Sequence, residues 1–182
     1  MVMVAMSSAM PSPVERQPRS DVIVTHPNRD KPVVQATRAT VVLLLVVSAA
    51  LVLIITVAGW NVLESAVAIQ IAYIAVYLTF AFYATRWNRG VLPVAAVLAV
   101  ILGIFAMLAG PAWFTRDKSG FASPDYLSAG LLGVLTLLIL PVQILLVTFA
   151  MRGFSQGWNV ELERRDPAAG ADPHTDAPPQ PA

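Results

Sequence analysis

Residues 39–60 read ATVVLLLVVSAALVLIITVAGW, 22 positions with no Asp, Glu, Lys, Arg or His. An α-helix rises about 1.5 Å per residue, so a run of this length covers the roughly 30 Å of hydrocarbon in a bilayer. Such a helix has no polar face to offer water. In lipid it needs none, because its backbone hydrogen bonds are satisfied within the segment. The stretch predicts a transmembrane helix, and three further uncharged runs, 65–85, 91–110 and 127–151, share its length and character.

The composition agrees. Of the 182 residues, 57% are apolar and only 13% charged, against about a quarter charged in an ordinary soluble domain. Mean hydropathy is +0.67. The charges fall in the tails and loops, so no span carries the cost of burying an ion in hydrocarbon. The fold class that follows is all-α: an integral membrane protein built as a four-transmembrane-helix antiparallel bundle with disordered N- and C-terminal tails.

Around the membrane domain, residues 39–152, the tails read differently. Residues 1–38 carry Pro11, Pro13, Pro18, Pro27 and Pro32 among Ser, Arg and Asp, which predicts a disordered cytoplasmic tail. The methionines at 1, 3, 6 and 10 leave the start of translation open. Because this polar stretch precedes an apolar run long enough to span, the first span is expected to be the insertion signal, not a cleaved signal peptide. Residues 153–165 read as a short amphipathic cytoplasmic helix, with Phe154, Trp158 and Leu162 at i, i+4, i+8 and Glu161 paired to Arg165 on the polar side. Residues 166–182 form a second disordered, Pro-rich tail.

Orientation follows from basic residues near the span ends, which are retained on the cytoplasmic side. Arg29, Lys31, Arg38, Arg86, Arg89, Arg152, Arg164 and Arg165 flank the two tails and the second loop; the first loop has no Lys or Arg. Arg116 and Lys118 in the third loop are a weaker counter-signal, so both termini are expected in the cytoplasm. Abundant Ala, Val, Arg and Pro without Cys points to a cell membrane of bacterial inner-membrane type.

The loops carry their own signals. Asn61 and Glu64 stand as N-cap and N3 of the second helix, and Ser123, Pro124 and Asp125 as N-cap, N1 and N2 of the fourth. Trp60, Trp87 and Trp113 fall at span ends, where an indole prefers the headgroup region.

The chemical inventory is sparse. With no Cys, thiol chemistry, iron–sulfur clusters and Cys-ligated zinc are excluded. Both histidines, His26 and His174, lie in the tails, away from any haem or metal position inside the spans. There is no P-loop, nucleophile elbow, HExxH or dinucleotide fingerprint, and no basic cluster dense enough for nucleic acid. The surface charges Glu64, Arg86, Arg89 and Asp117 fall on opposite sides of the expected bilayer and cannot form one site. No enzyme activity, cofactor or metal is expected.

What remains are candidates for helix packing and partner contact. Gln70 and Gln143 are amides inside spans, able to bond across a helix interface. They are expected at different levels, about 8 Å and about 24 Å from the outer ends of their helices. Pro141 is expected to bend the fourth span. Ala95, Ala99 and Gly103 recur every fourth residue and form a smooth stripe that admits a close neighbour, with Ala129 and Gly133 as a second pair. Tyr73, Tyr77 and Phe80 form an aromatic stripe, more readily explained by core packing than by a quinone or lipid pocket. Phe154, Trp158 and Leu162 complete the set, as a surface anchor or a partner-binding element.

The expected partners are the lipid bilayer and other membrane subunits or a second copy of the chain. The expected role is a non-enzymatic accessory, scaffold or assembly subunit of a larger membrane complex. The competing expectation is a small transporter or channel component that forms its path by oligomerisation, with Gln70, Gln143 and the Pro141 bend as its elements.

Overall fold

Apolar runs free of internal breakers form four helices in a computed structural model, which describes residues 22–25, 30–63, 66–116, 123–124, 126–158 and 162–165. They are α1 (Pro32–Ala58), α2 (Val67–Thr85), α3 (Val91–Phe114) and α4 (Ala129–Ser155), each long and apolar enough to cross a membrane. None shows a pronounced polar face, which fits a lipid surround better than water.

The helix ends depart from the sequence expectation for local reasons. α1 begins at Pro32, not Ala39: Pro fits the first helical turn, where its missing N–H costs nothing, and Lys31 before it is extended. Residues 32–38 are therefore helix and not tail. α2 begins at Val67 after Ala66, and Asn61 does not cap it. The Asn61 side-chain amide instead donates to the Ser123 carbonyl at 3.0 Å, tying the first loop to the third. Glu64 and Asp125 lie outside the described residues. α3 runs past Gly110 and through Pro111 to Phe114. α4 is capped by Ser128, whose hydroxyl accepts from the Leu131 N–H at 3.3 Å, so Ser123 and Pro124 precede the helix instead of starting it.

Among the described residues of 153–165 the expected continuous amphipathic helix is not seen. α4 carries Phe154 to its last turn and ends at Ser155; Gly157 then takes φ 59°, a left-handed conformation that glycine adopts without strain. Trp158 is fully buried. Leu162 belongs to a strand, β2 (Leu162–Arg165), which pairs antiparallel with β1 (Val22–Thr25) in the register Val22↔Arg165 to Thr25↔Leu162. The β-branched sequence Val-Ile-Val-Thr favours an extended chain, a local preference that the proline density around it obscures. The helical unit is all-α, as expected, and this ribbon belongs to a second unit.

Within the helical unit large apolar side chains lie outside as well as inside. Ala is the commonest buried residue, beside Leu, Val and Ile, with Ser48, Thr56, Thr136 and Gln143 buried among them, while Leu43, Val97, Met107, Leu108 and Ile144 are about 60% exposed or more. An exposed apolar surface of this extent is what lipid, not water, accommodates. α3 and α4 pack most extensively, α1 contacts both α2 and α4, and α2 touches α3 at few points.

Candidate functional site

The polar groups inside the helices are joined in pairs and chains. The Tyr77 hydroxyl donates to Gln143 Oε1 at 3.0 Å. Gln143 Nε2 donates to Ser48 Oγ at 2.9 Å, and the Ser48 hydroxyl donates to the Leu44 carbonyl at 2.7 Å. The donors run one way, Tyr77 to Gln143 to Ser48 to backbone, so both hydroxyl protons and one amide proton have an acceptor. The chain ties α2, α4 and α1 together at a point where all three side chains are almost completely buried.

Gln70 sits nearer the start of α2. Thr56 has one hydroxyl proton and two acceptors in reach, the Val52 carbonyl at 2.7 Å and Gln70 Oε1 at 2.6 Å. It serves one at a time, and neither bond uses the Gln70 Nε2 protons, which have no acceptor among the described residues. Gln70 and Gln143 thus take different partners and do not meet.

The small-residue stripe of α3 lies against α4. Ala95, Ala99 and Gly103 are buried. A side chain carbon added at Gly103 would rest against Leu140 and Gln143 at 3.6 and 3.7 Å, an ordinary contact. Gly110 continues the row, and there the added carbon would collide with Leu137. Ala129 and Gly133 are buried on α4, with Phe114 and Trp113 pressed against Gly133. Trp113 is therefore packed inside, 4% exposed, not set as a headgroup anchor, whereas Trp60 is 55% exposed.

One end of the helical unit gathers a second cluster. The Arg38 guanidinium lies 4.0 Å from the Trp87 ring centroid and donates to the Thr85 carbonyl at 3.0 Å. Trp87 meets Trp158 edge-on at 5.9 Å, and Trp158 packs against Gly153. The Trp158 indole N–H donates to Gln156 Oε1 at 3.2 Å, and Gln156 Nε2 donates to Thr37 Oγ1 at 3.0 Å. Phe154, 41% exposed, lies under the Arg89 guanidinium at 5.8 Å. Trp158 and Phe154 act within the fold here, locking the end of α4 to the start of α1 and the turn after α2. Leu162 is in β2, which belongs to the other unit.

A cavity of about 470 Å³ opens where α2 and α3 diverge. Its wall is apolar, from Val52, Ile55, Ile69, Leu102, Phe105 and Trp113 among others, with Gln70, Tyr73 and Thr136 as polar positions. Thr136 bonds its own helix at the Leu132 carbonyl, 2.7 Å away. The Tyr73 hydroxyl has no hydrogen-bond partner among the described residues; its ring meets Tyr77 edge-on at 5.8 Å. The volume lies in the range of small-molecule sites, roughly 300–1,000 Å³. A shallower groove between α3 and α4 passes Ala99, Gly103 and Gln143.

Sequence reading singled out the amides and the small-residue stripe. It missed Ser48 and Thr56 as their partners, although the two hydroxyls are eight residues apart and share a helix face. It also missed the stacking of Arg38 on Trp87, because the start of α1 read as tail. No protein-family model, curated protein or solved structure matches this chain.

Proposed function

We propose that this chain is a non-enzymatic, multi-pass protein of the cell membrane, its four helices an antiparallel bundle with both termini in the cytoplasm. Its role is that of an accessory, scaffold or assembly subunit of a larger membrane complex. The observation that carries this reading is the use made of the interior polar groups. Tyr77, Gln143 and Ser48 are consumed in tying helices together, and none of the three is a carboxylate, imidazole or amine of the kind a proton or ion path uses. What the bundle offers outward is apolar surface, and such a surface works by contact.

The contact face is assigned to α2. Only 17% of its most apolar stretch is buried, against 44% for α1. Ile71, Leu78 and Phe82 are about half exposed at i, i+7, i+11, a continuous stripe along one side. Orientation is supported by the gathering of Arg38 and Arg89 with the turn after α2 and the end of α4.

Purification of the full chain from its native membrane in mild detergent, followed by mass spectrometry, tests the role. A reproducible membrane-protein partner that photo-crosslinks from position 71 or 78 is the expected result. A chain that runs alone, with no crosslink from either position, contradicts it. The transporter or channel alternative has less support, because Gln143 is already bonded on both sides of its amide.

A further inference from the structure

We propose that the cavity between α2 and α3 is a binding site for a lipid-soluble molecule with an apolar body and a hydrogen-bond-accepting carbonyl group. The proposal goes beyond partner contact but rests on the membrane placement above.

The donors on the wall define the ligand. Tyr73 and Gln70 stand at i and i−3 on α2, so they share a face, and both line the cavity. Tyr73 has a hydroxyl proton with no acceptor among the described residues, and the Gln70 Nε2 protons have none either, since Thr56 meets only the amide oxygen. In hydrocarbon an unmet donor is costly and lipid tails supply no acceptor. An occupant with a carbonyl oxygen meets that need, while the surrounding Ile, Leu, Phe and Trp wall suits its apolar body. A charged group at the depth of Gln70 and Tyr73 would be left unpaired by this wall.

Two membrane constituents carry this chemistry: the ester region of a glycerophospholipid and the ring of an isoprenoid quinone. Gln70 and Tyr73 lie about 5 Å and about 9 Å along α2 from its start, within its first two turns and so toward one end of the span. Arg116 separates them. Its guanidinium lies 5.4 Å from the ring of Trp113, which forms part of the cavity wall. A phospholipid would set its phosphate there; a quinone has nothing for that cation to hold.

The test is native mass spectrometry of the detergent-solubilised full chain, titrated separately with a diacyl phosphatidylglycerol and with a short-chain naphthoquinone. One probe is expected to bind at one molecule per chain. Tyr73→Phe, which keeps the ring and removes the donor, should weaken it roughly 5-fold or more. Ala109→Phe, at an exposed position on the cavity wall, should weaken it likewise, and Tyr77→Phe should not. Loss of binding on Arg116→Gln assigns the phospholipid, and indifference to it assigns the quinone. Failure of both probes to bind stoichiometrically overturns the proposal, as does a folded Tyr73→Phe or Ala109→Phe chain that loses less than this. A failure of the membrane placement itself appears earlier, as protein recovered in the aqueous fraction without detergent.

Discussion

The hydroxyl of Tyr77 on α2 and the amide of Gln143 on α4 meet at 3.0 Å inside the helical unit, and the same amide continues to Ser48 on α1. Three helices are thereby joined through one side chain. Interhelical hydrogen bonds in membranes contribute about 0.6 kcal/mol on average and up to about 1.7 kcal/mol, less than burial alone would imply, because the unfolded chain in lipid also finds partners.

Gln143→Leu is expected to lower the stability of the bundle by about 1–2 kcal/mol, since it breaks two ties and strands the Tyr77 donor. Tyr77→Phe should cost less, about 0.5–1 kcal/mol, because the Gln143 bond to Ser48 survives. Reversible unfolding in mixed micelles measures both. A double-mutant cycle should show a coupling of about 0.5–1.5 kcal/mol; strict additivity would mean that the two groups do not interact.

Two glycines on α3 should respond in opposite ways to the same change. At Gly103 the new methyl meets Leu140 and Gln143 at ordinary contact distance, so Gly103→Ala is expected to be neutral or slightly stabilising. At Gly110 the methyl runs into Leu137, which must move, and Gly110→Ala should destabilise by about 1–3 kcal/mol. Thermal melting of the two variants in detergent gives the comparison, and equal melting temperatures would refute the close approach of α3 and α4 at Gly110.

The turn after α4 depends on Gly157. With φ at 59°, any side chain with a Cβ is strained by about 1–2 kcal/mol. Gly157→Val should therefore release Trp158 from its contacts with Trp87 and Gly153. The readout is tryptophan emission, which should shift to the red as the buried indole reaches a more polar setting. Emission unchanged from wild type would show that Trp158 is held without this turn.

The four long helices were legible because charge-free length is a property of the sequence itself, and lipid rewards it without regard to tertiary detail. The stripe of Ala95, Ala99 and Gly103 was legible for a related reason: helical periodicity fixes which residues share a face, although not which neighbour they meet. The helix starts were less so. Ser123-Pro124 and Asn61 carry good capping chemistry, yet Ser128 and Ala66 occupy those positions, because several residues with capping potential compete and the loop geometry selects among them. The stretch after Met151 misled most, since the i, i+4 spacing of Phe154 and Trp158 counts as helical only if Gly157 stays right-handed. The cavity was not legible at all: it arises from the divergence of α2 and α3, which no local pattern encodes.

The account as a whole depends on four crossings with both ends in the cytoplasm, and the absence of native cysteine makes this directly measurable. Single cysteines are placed at Asn88, after α2, and at Tyr126, before α4, both exposed. They are then challenged in intact cells with a thiol reagent that does not cross membranes. Labelling of Tyr126→Cys in intact cells, with Asn88→Cys labelled only after permeabilisation, is the predicted result. The reverse pattern, or labelling of both positions from the same side, would contradict it.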